Sequence, residues 1–510
     1  MGTSGDKSEL NASWLFSQNI TPDLNIGFTI HHGDDKAKYK NLESRLNGVE
    51  GRIAYAKKRF FVSGNVDYQK LRFADNGGIV DAKWLRDTVV DAPQIPVVLT
   101  KANTTLGSLH AAVDLAFDLV QHNHAFSDSS GVTIQYHEPA LSLISLHTLS
   151  QCSRTYADDQ PPELHPPYHI SNSHTYDSTA SLSYNGRIGV AYTHSPHYKI
   201  PLPSFRAWLG YVHDRYLAPS PMQYLTGPKE QTQHSLYVAG SMDYNLRYID
   251  LKVHAYSFFL GSRIGNSQLG GTLYYYPSHL RNKLNLSVSG KIDVARPAHF
   301  IRRYFSNTAL WDNSEQFGPC LSIDLGGRLE APWWGGEYGA NARQYRNYTY
   351  FDTLAMPAQA KNITVISAYA QQEFSRWGLT ILARILYQQC TNSTILALPT
   401  LAGYATIGYQ YEFIKNVFTL HLGLEAYYRT AYHAPVYNSP LGVFHNQLQE
   451  TIGNYPLMNV VLTVKWMQAN VFIKVLHANQ DLLSRNYFAS IRYPEKERGF
   501  RIGVQWHFYK

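Results

Sequence analysis

Charged side chains, cysteines and long apolar runs are all scarce in this sequence of 510 residues. Asp, Glu, Lys and Arg together make up 16% of the chain, compared with roughly 25% in soluble domains. No run of about 18 apolar residues occurs, which excludes a transmembrane helix. The three cysteines, Cys152, Cys320 and Cys390, are far apart and lack metal-site spacing. We therefore expect isolated thiols.

Motifs of established chemistry are missing as well. The chain has no nucleophile elbow, P-loop, zincin motif or dinucleotide-binding loop. Its net charge of +7 comes without a Lys/Arg run that would indicate nucleic-acid binding. The stretch "HPPYH" at 165–169, with His174 beyond it, supplies too few ligands for a closed metal site. We predict that the protein is not an enzyme and binds no cofactor, metal or nucleic acid.

Aromatic residues and strictly alternating segments are abundant instead. The chain holds 38 Tyr, 22 Phe and 9 Trp, and its mean hydropathy is −0.30. Apolar and polar residues alternate in "LNIGFTIH" from Leu24, in "LHAAVDLAFDL" from Leu109, in "NVFTLHLGLEAYY" from Asn416 and in the final "GFRIGVQWHFYK". Side chains alternate across a strand with period two, whereas a helix needs apolar residues at i, i+3, i+4 and i+7. These segments are therefore predicted strands with one apolar face.

The connections between these strands fall into two classes. Tight turns occur at 21–23, 56–59 and 467–469, whereas long polar loops are predicted over 74–101, 152–173 and 431–456. Short turns at one rim and long loops at the other are typical of outer-membrane barrels. A propeller would repeat a motif with a period of roughly 40–50 residues, and no such repeat is visible. We predict an all-β fold, a large antiparallel transmembrane β-barrel of about 18–22 strands, as one domain over residues 1–510.

The polar faces of these strands supply candidate pore-lining residues. Each alternates with apolar neighbours that would face lipid, and rings of charged side chains set selectivity in pores. The alternative is that a lumen wall is polar throughout and no single residue matters. The candidates are Arg384, Lys474, Arg501, His421 and Glu425. Arg429 and Arg52 are further basic candidates with the same parity.

Five segments along the chain resemble one family of barrels. They are "DNGGIVD" at 75–81, "PAHFIRRYFSNTALWDN" at 297–313, "YRNYTYFDTLAMPAQ" at 345–359, "YQQCTNSTILALPTLAGY" at 387–404 and "APVYNSPLGVFHNQLQETIGNYP" at 434–456. The tail at 492–510 is similar to that of this family and of other large barrels of the same phylum. In these segments the chain resembles the putative porin family of the Bacteroidetes, whose members are outer-membrane β-barrels.

The resemblance implies a location in the cell outer membrane and a pore for an unnamed solute. Family members carry an export signal and further chain before the point where this sequence begins, so we expect N-terminal strands to be missing. The terminal strand would then lack its natural partner, and its tail would serve as an assembly signal. Because strand pattern begins by residue 8, we expect no N-terminal plug domain.

Two functions remain open from the sequence. The first is a porin in outer-membrane lipid that allows passive diffusion of small hydrophilic solutes. The second is a non-conducting barrel that acts as a scaffold or partner for another surface protein, which would require loops to fill the lumen. Neither the solute nor an oligomeric state follows from the residues.

Overall fold

One antiparallel β-sheet dominates the molecule. The computed structural model describes residues 2–5, 9–86, 90–127, 133–160, 168–195, 200–218, 230–277 and 283–508. Strands account for 68% of the structure and helices for 3%. The predicted all-β class and the predicted antiparallel sheet are confirmed, and the main sheet has 22 strands, the upper end of the expected range.

The first half of the chain builds thirteen strands of this sheet. They are β1 (Gly2–Gly5), β2 (Glu9–Thr21), β3 (Leu24–Asp35), β4 (Ser44–Lys57), β5 (Phe60–Asp75), β6 (Ala102–Ser127), β7 (Thr133–Asp158), β8 (Thr175–Tyr192), β9 (Ser204–Leu217), β10 (Glu230–Asn245), β11 (Ile249–Gly261), β12 (Ser267–Tyr275) and β13 (Asn285–Ala295). Between β5 and β6 lie the helix α1 (Lys83–Arg86) and a 3₁₀ turn (Ala92–Gln94). The predicted loop at 152–173 begins later than expected, because β7 keeps its pairing with β6 and β8 up to Asp158.

The second half adds nine strands to the sheet and three short hairpins. The nine are β16 (Cys320–Ala331), β17 (Gly336–Phe351), β18 (Pro357–Arg376), β19 (Leu379–Cys390), β20 (Leu401–Ile414), β21 (Phe418–Arg429), β24 (Leu457–Trp466), β25 (Ala469–Leu476) and β28 (Gly499–Trp506). The hairpins are β14–β15 (Arg303–Phe305 and Leu310–Asp312), β22–β23 (Val436–Asn438 and Val443–His445) and β26–β27 (Phe488–Ser490 and Tyr493–Pro494). A helix α2 (His299–Arg302) precedes β14, and a 3₁₀ turn (Pro332–Trp334) follows β16.

Neighbours in the sheet follow chain order. Each strand pairs with the next, the three hairpins being skipped, so that β13 pairs with β16, β21 with β24 and β25 with β28. The four-residue β1 pairs on one side with β2 and on the other with β28. Within the described residues, β2 from Ser13 to Thr21 pairs with β3 alone. The expectation of missing N-terminal strands stays a prediction.

The two rims of the sheet differ as the turn chemistry predicts. At one rim two-residue turns connect β18 to β19 and β24 to β25. Trp377 and Gly378 both have positive φ, as a type I′ hairpin requires. A Cβ on Gly378 would lie 2.3 Å from the Gln410 carbonyl oxygen, so glycine is needed there. We call this the short-turn rim. The opposite, long-loop rim carries the three hairpins and both helices.

The two faces of the sheet differ in polarity. One row across five strands contains Ile407, Leu424, Val460, Val475 and Phe500, each paired with the next. On β28 the side chains of this face are between 42% and 59% exposed. We call it the apolar face, and the side that carries the intervening side chains the polar face. Large apolar side chains left exposed over a whole face indicate contact with something other than water.

Candidate functional site

All five predicted pore-lining residues lie on the polar face, and three of them lie together. Lys474 on β25 pairs directly with Arg501 on β28. The Lys474 Nζ atom lies 2.6 Å from Glu425 Oε2 on β21. The Asn459 amide on β24 donates to the same carboxylate over 3.4 Å. Strand alternation places Glu425, Lys474 and Arg501 on the same face, and the pairing of their strands brings them into one cluster.

This cluster continues into residues that the sequence did not single out. Arg501 Nη2 lies 2.5 Å from Glu9 Oε1 on β2. Lys496, from the loop before β28, lies 3.5 Å from Glu9 and 2.5 Å from Asp35 at the end of β3. Acidic and basic groups thus alternate from Arg501 through Glu9 and Lys496 to Asp35. Strand parity could have revealed Glu9, whereas Lys496 comes from a loop whose path no period predicts.

Arg384 belongs to a second cluster on the polar face. Its guanidinium carbon lies 4.4 Å from the centre of the Tyr369 ring on β18. The Tyr369 hydroxyl donates to Glu337 over 2.7 Å, and Arg328 binds the same carboxylate over 3.0 Å. Arg384 is itself exposed, so its charge stays accessible on this face. The structure does not bring it together with Lys474.

His421 and the two additional basic candidates lie elsewhere. A Cβ on Gly408 would be 2.4 Å from His421 Nε2, so the imidazole lies over a neighbouring strand that has no side chain there. Arg52 covers Gly27 in the same way. Arg429 instead donates to the Phe488 carbonyl oxygen over 2.5 Å at the long-loop rim. Arg429 therefore holds a loop.

The loops of the long-loop rim reach across the sheet. Arg154 on the polar face of β7 donates to the carbonyl oxygens of Ser439 and Pro440, at 2.6 and 2.8 Å. Both belong to the turn of hairpin β22–β23, which follows β21. In the order of pairing β7 is the seventh and β21 the nineteenth strand of 22. The Ser439 hydroxyl also donates to Asp75 over 2.8 Å. The hairpin therefore crosses from one side of the sheet to the other.

A hydrophobic core holds these loops together. Its members come from the loops around 36–43, 76–95, 430–456 and 477–498, and they pack on one another away from the strands. The buried residues are Tyr39, Ile79, Leu85, Ala92, Ile95, Ala434, Ile452, Tyr487, Phe488 and Ile491. A second core joins Tyr304, Ala309 and Trp311 to Leu441 of the crossing hairpin. We call this loop assembly the lid.

A buried histidine, His477, sits inside the lid. Its Nε2 lies 2.6 Å from the Tyr455 hydroxyl and its Nδ1 lies 2.9 Å from the Lys496 carbonyl oxygen. Nδ1 donates to that carbonyl, and in the neutral ring Nε2 accepts from the tyrosine hydroxyl. Burial lowers the pKa of His477, and the nearby Arg498 adds to this, while the Lys496 carbonyl and Asp481 oppose it.

Acid is therefore expected to loosen the lid. Because the closed lid disfavours a charged His477, an opened lid binds a proton more readily. The closed lid keeps its full stability above the ordinary histidine pKa of about 6.5 and loses it as the pH falls further. Burial also lowers the pKa of His299 to about 4 and that of His445, both in loops of the same rim.

Protease sensitivity of the loops measures this effect. Cleavage within the lid should become faster between pH 7 and pH 5 in liposome-embedded protein. His477→Gln, which is neutral at every pH, should reduce this dependence, and His31→Gln on β3 should leave it unchanged. Equal pH dependence in the His477→Gln variant would contradict the assignment.

The described residues contain no group of three or more His, Cys, Asp or Glu side chains that could hold a metal ion. His165 of the "HPPYH" stretch lies outside the described residues. No helix in the described part of the chain is long and apolar enough to span a membrane. What the site offers is a polar surface with paired charges of both signs.

Solved structures with a similar fold include siderophore receptors and an iron transporter. The ferric-catecholate import receptor Fiu from E. coli aligns with a TM-score of 0.67 at 10% identity, over 99% of this chain and 81% of that one. The siderophore receptor PirA from Acinetobacter baumannii gives 0.66 at 10% identity, over 99% and 80%. The FrpB iron transporter from Neisseria meningitidis gives 0.64 at 9% identity, over 99% and 81%. At these identities the likeness shows the fold.

Sequence comparisons agree with this architecture. No curated protein matches the chain. A family model described as "Putative porin" matches residues 2–510. The family and the receptor barrels together place the protein in the cell outer membrane, as a transporter-like barrel. The chain belongs to the "Putative porin" family.

Proposed function

We propose that the protein is a closed 22-stranded transmembrane barrel that lets small hydrophilic solutes diffuse through its lumen when the lid opens. The observation that carries this proposal is the division of the sheet into an apolar and a polar face, seen in the apolar row from Ile407 to Phe500 and in the charged residues between such rows. Backbone groups in lipid must all be bonded, and a closed barrel satisfies them. Pairing of β1 with both β2 and β28 supports closure.

Exposed aromatic residues support the membrane orientation. Trp333, Trp377, Trp466 and Trp506 are all more than half exposed, and they lie at the short-turn rim. Such a girdle is typical of the membrane–water interface of barrels. The short-turn rim would then lie on the periplasmic side and the lid on the outside. The apolar face would contact lipid, and the polar face would line the lumen.

The proposed lumen has paired charges of both signs. Glu425 with Lys474, and Asp324 with Arg343, are ion pairs on its wall. A wall of this kind suits water and small polar solutes, without strong preference for one sign of charge. In this proposal the lid lies over the outer mouth, so passage requires it to move.

A second candidate function is supported by the lid itself. The lid has a buried core like that of a folded unit. Tyr487 and Ile491 in this core are each no more than 2% exposed. If the lid never opens, the protein would be a non-conducting barrel that presents the lid surface to a partner. Conductance separates the two candidates.

Planar bilayers containing purified protein test the proposal. We expect openings that become more frequent at pH 5 than at pH 7, as the lid loosens. Arg384→Glu should shift permeability towards cations by about 1 kcal/mol, roughly fivefold, since one charge is reversed in a water-filled lumen. Arg45→Glu, on the opposite face of the sheet, is the matched control and should change nothing. Bilayers that stay tight at high protein loading and low pH would favour the non-conducting barrel.

A further inference from the structure

Three polar side chains are linked on the apolar face, where lipid-facing residues would otherwise be expected. Ser145 and His147 lie two residues apart on β7, and Tyr184 lies on β8. Ser145 Oγ is 2.8 Å from His147 Nε2, and His147 Nδ1 is 2.8 Å from the Tyr184 hydroxyl. Leu143, on the same face of β7, is 48% exposed. The group therefore opens outward from the sheet.

A glycine makes this arrangement possible. Gly186 pairs directly with His147. A Cβ on Gly186 would lie 2.5 Å from the Tyr184 hydroxyl and 3.1 Å from His147 Nδ1. The missing side chain leaves the space in which the tyrosine and the imidazole stack, with ring centres 6.1 Å apart and planes at 19°. The stacked Tyr184 ring and its hydroxyl hold the His147 imidazole in one orientation.

The order of the atoms is that of a nucleophile, its base and a group that orients the base. Nε2 faces the serine and Nδ1 faces the third residue, as in serine hydrolases of unrelated folds. When the Tyr184 oxygen accepts the Nδ1 proton, Nε2 is free to take the serine proton. The Arg187 carbonyl oxygen, 3.3 Å from Ser145 Oγ, is a second and weaker acceptor. A tyrosine orients the base without supplying a full negative charge.

An apolar groove beside Ser145 fits an acyl chain. It has a volume of about 650 Å³ and openly faces outward. Ser145 forms part of its wall, together with Phe60, Leu115, Phe117, Leu143, Ile188 and Leu209. Ser145 pairs with Leu115 on β6, and Leu115 pairs with Val62 on β5. Val62 lies two residues from Phe60, where β5 leaves the turn that connects it to β4. That turn carries Lys58 and Arg59, cations suited to the phosphate of a lipid headgroup.

We propose that Ser145, His147 and Tyr184 form an esterase site for the acyl ester of a glycerophospholipid in the surrounding membrane. Ser145 Oγ attacks the ester carbonyl carbon while His147 Nε2 takes its proton. The carbon–oxygen bond to glycerol breaks, and the same proton passes to the leaving alkoxide. Water then attacks the acyl-serine, again with His147 as base, and releases a fatty acid. This activity goes beyond solute passage and does not depend on it.

The rate is expected to be low. The backbone N–H groups of β7 and β8 around Ser145 belong to the sheet ladder. Stabilisation of an oxyanion by free backbone donors is usually the largest contribution to such catalysis. A covalent probe of the serine is therefore a more sensitive measurement than turnover.

A fluorophosphonate probe on the full chain in phosphatidylethanolamine–phosphatidylglycerol liposomes tests the proposal. Mass spectrometry should find the probe on the peptide containing Ser145. His147→Ala should slow labelling roughly 100-fold or more, and Tyr184→Phe should slow it less because the ring stack remains. The matched control is Ser150→Ala, since Ser150 also contacts a histidine, His110, over 2.9 Å, but on the polar face.

Release of fatty acid identifies the substrate. The wild type should release it from the liposomes, and Ser145→Ala, folded as judged by heat-modifiable migration, should not. Hydrolysis of a water-soluble short-chain ester without release from liposomes would overturn the lipid assignment. Absence of the probe from the Ser145 peptide, or equal labelling of the Ser145→Ala protein, would overturn the proposal and leave three polar groups that merely satisfy one another.

Discussion

Replacing residues 436–445 by a short Gly-Ser linker is expected to raise single-channel conductance several-fold and to lengthen the openings. The segment forms the hairpin whose turn reaches Arg154 on β7. Its removal deletes the backbone carbonyls that bind Arg154 and withdraws Leu441 from the second lid core. A 22-stranded barrel without an obstruction has a wide lumen. Recordings in planar bilayers give the measurement.

Two companion variants make the result interpretable. Arg154→Ala removes the contact and keeps the hairpin, so it should give more frequent openings of unchanged size. Shortening the turn at 262–265, which lies between β11 and β12 and outside both lid cores, should leave conductance as it is. Deletion of the hairpin without any gain in conductance would show that the obstruction lies deeper in the lumen or that the barrel does not conduct.

Leu422→Arg is expected to destabilise the protein in liposomes by about 2–4 kcal/mol, because it would place a charge in lipid near the middle of a spanning strand. Leu422 lies on the apolar face of β21, is 53% exposed and pairs with Tyr409 and Leu462. Denaturant unfolding of liposome-embedded protein measures the loss.

The adjacent residue supplies the control. His421 lies on the polar face beside Gly408 and Gly423, so this face has room for a longer side chain. His421→Arg should keep the stability within about 0.5 kcal/mol, as surface substitutions usually do. A one-residue change of register exchanges the two faces. Damage from His421→Arg together with tolerance of Leu422→Arg would therefore show that the faces are inverted.

Alternation along the strands made the sheet predictable. In β21 and β28 each apolar residue has a polar neighbour, and a period of two fixes both the element and its face. The same parity placed Lys474, Arg501 and Glu425 on one side. It also predicted the β21 strand against the helix formers in "LEAYY", because burial on one face outweighs local propensity.

The lid and the outward-facing polar group were beyond such reasoning. The lid core joins Tyr39 to Tyr487, residues that are far apart in the chain and carry no shared period. Ser145 and His147 stand two residues apart and can be seen in the sequence. Their relation to Tyr184 depends on the register between β7 and β8, which the residues alone leave open. The register between distant strands and the packing of the loops could therefore not be predicted from the sequence.

Spin labels placed one at a time along β21, Phe418–Arg429, in protein without its three cysteines, test the central claim most directly. We predict that accessibility to oxygen, which dissolves in lipid, peaks at even positions such as Leu422 and Leu424. Accessibility to a water-soluble nickel chelate should peak at odd positions such as His421 and Glu425. Equal access of the nickel chelate to both sets, or low access of both reagents throughout, would contradict a sheet whose one face meets lipid and whose other lines a lumen.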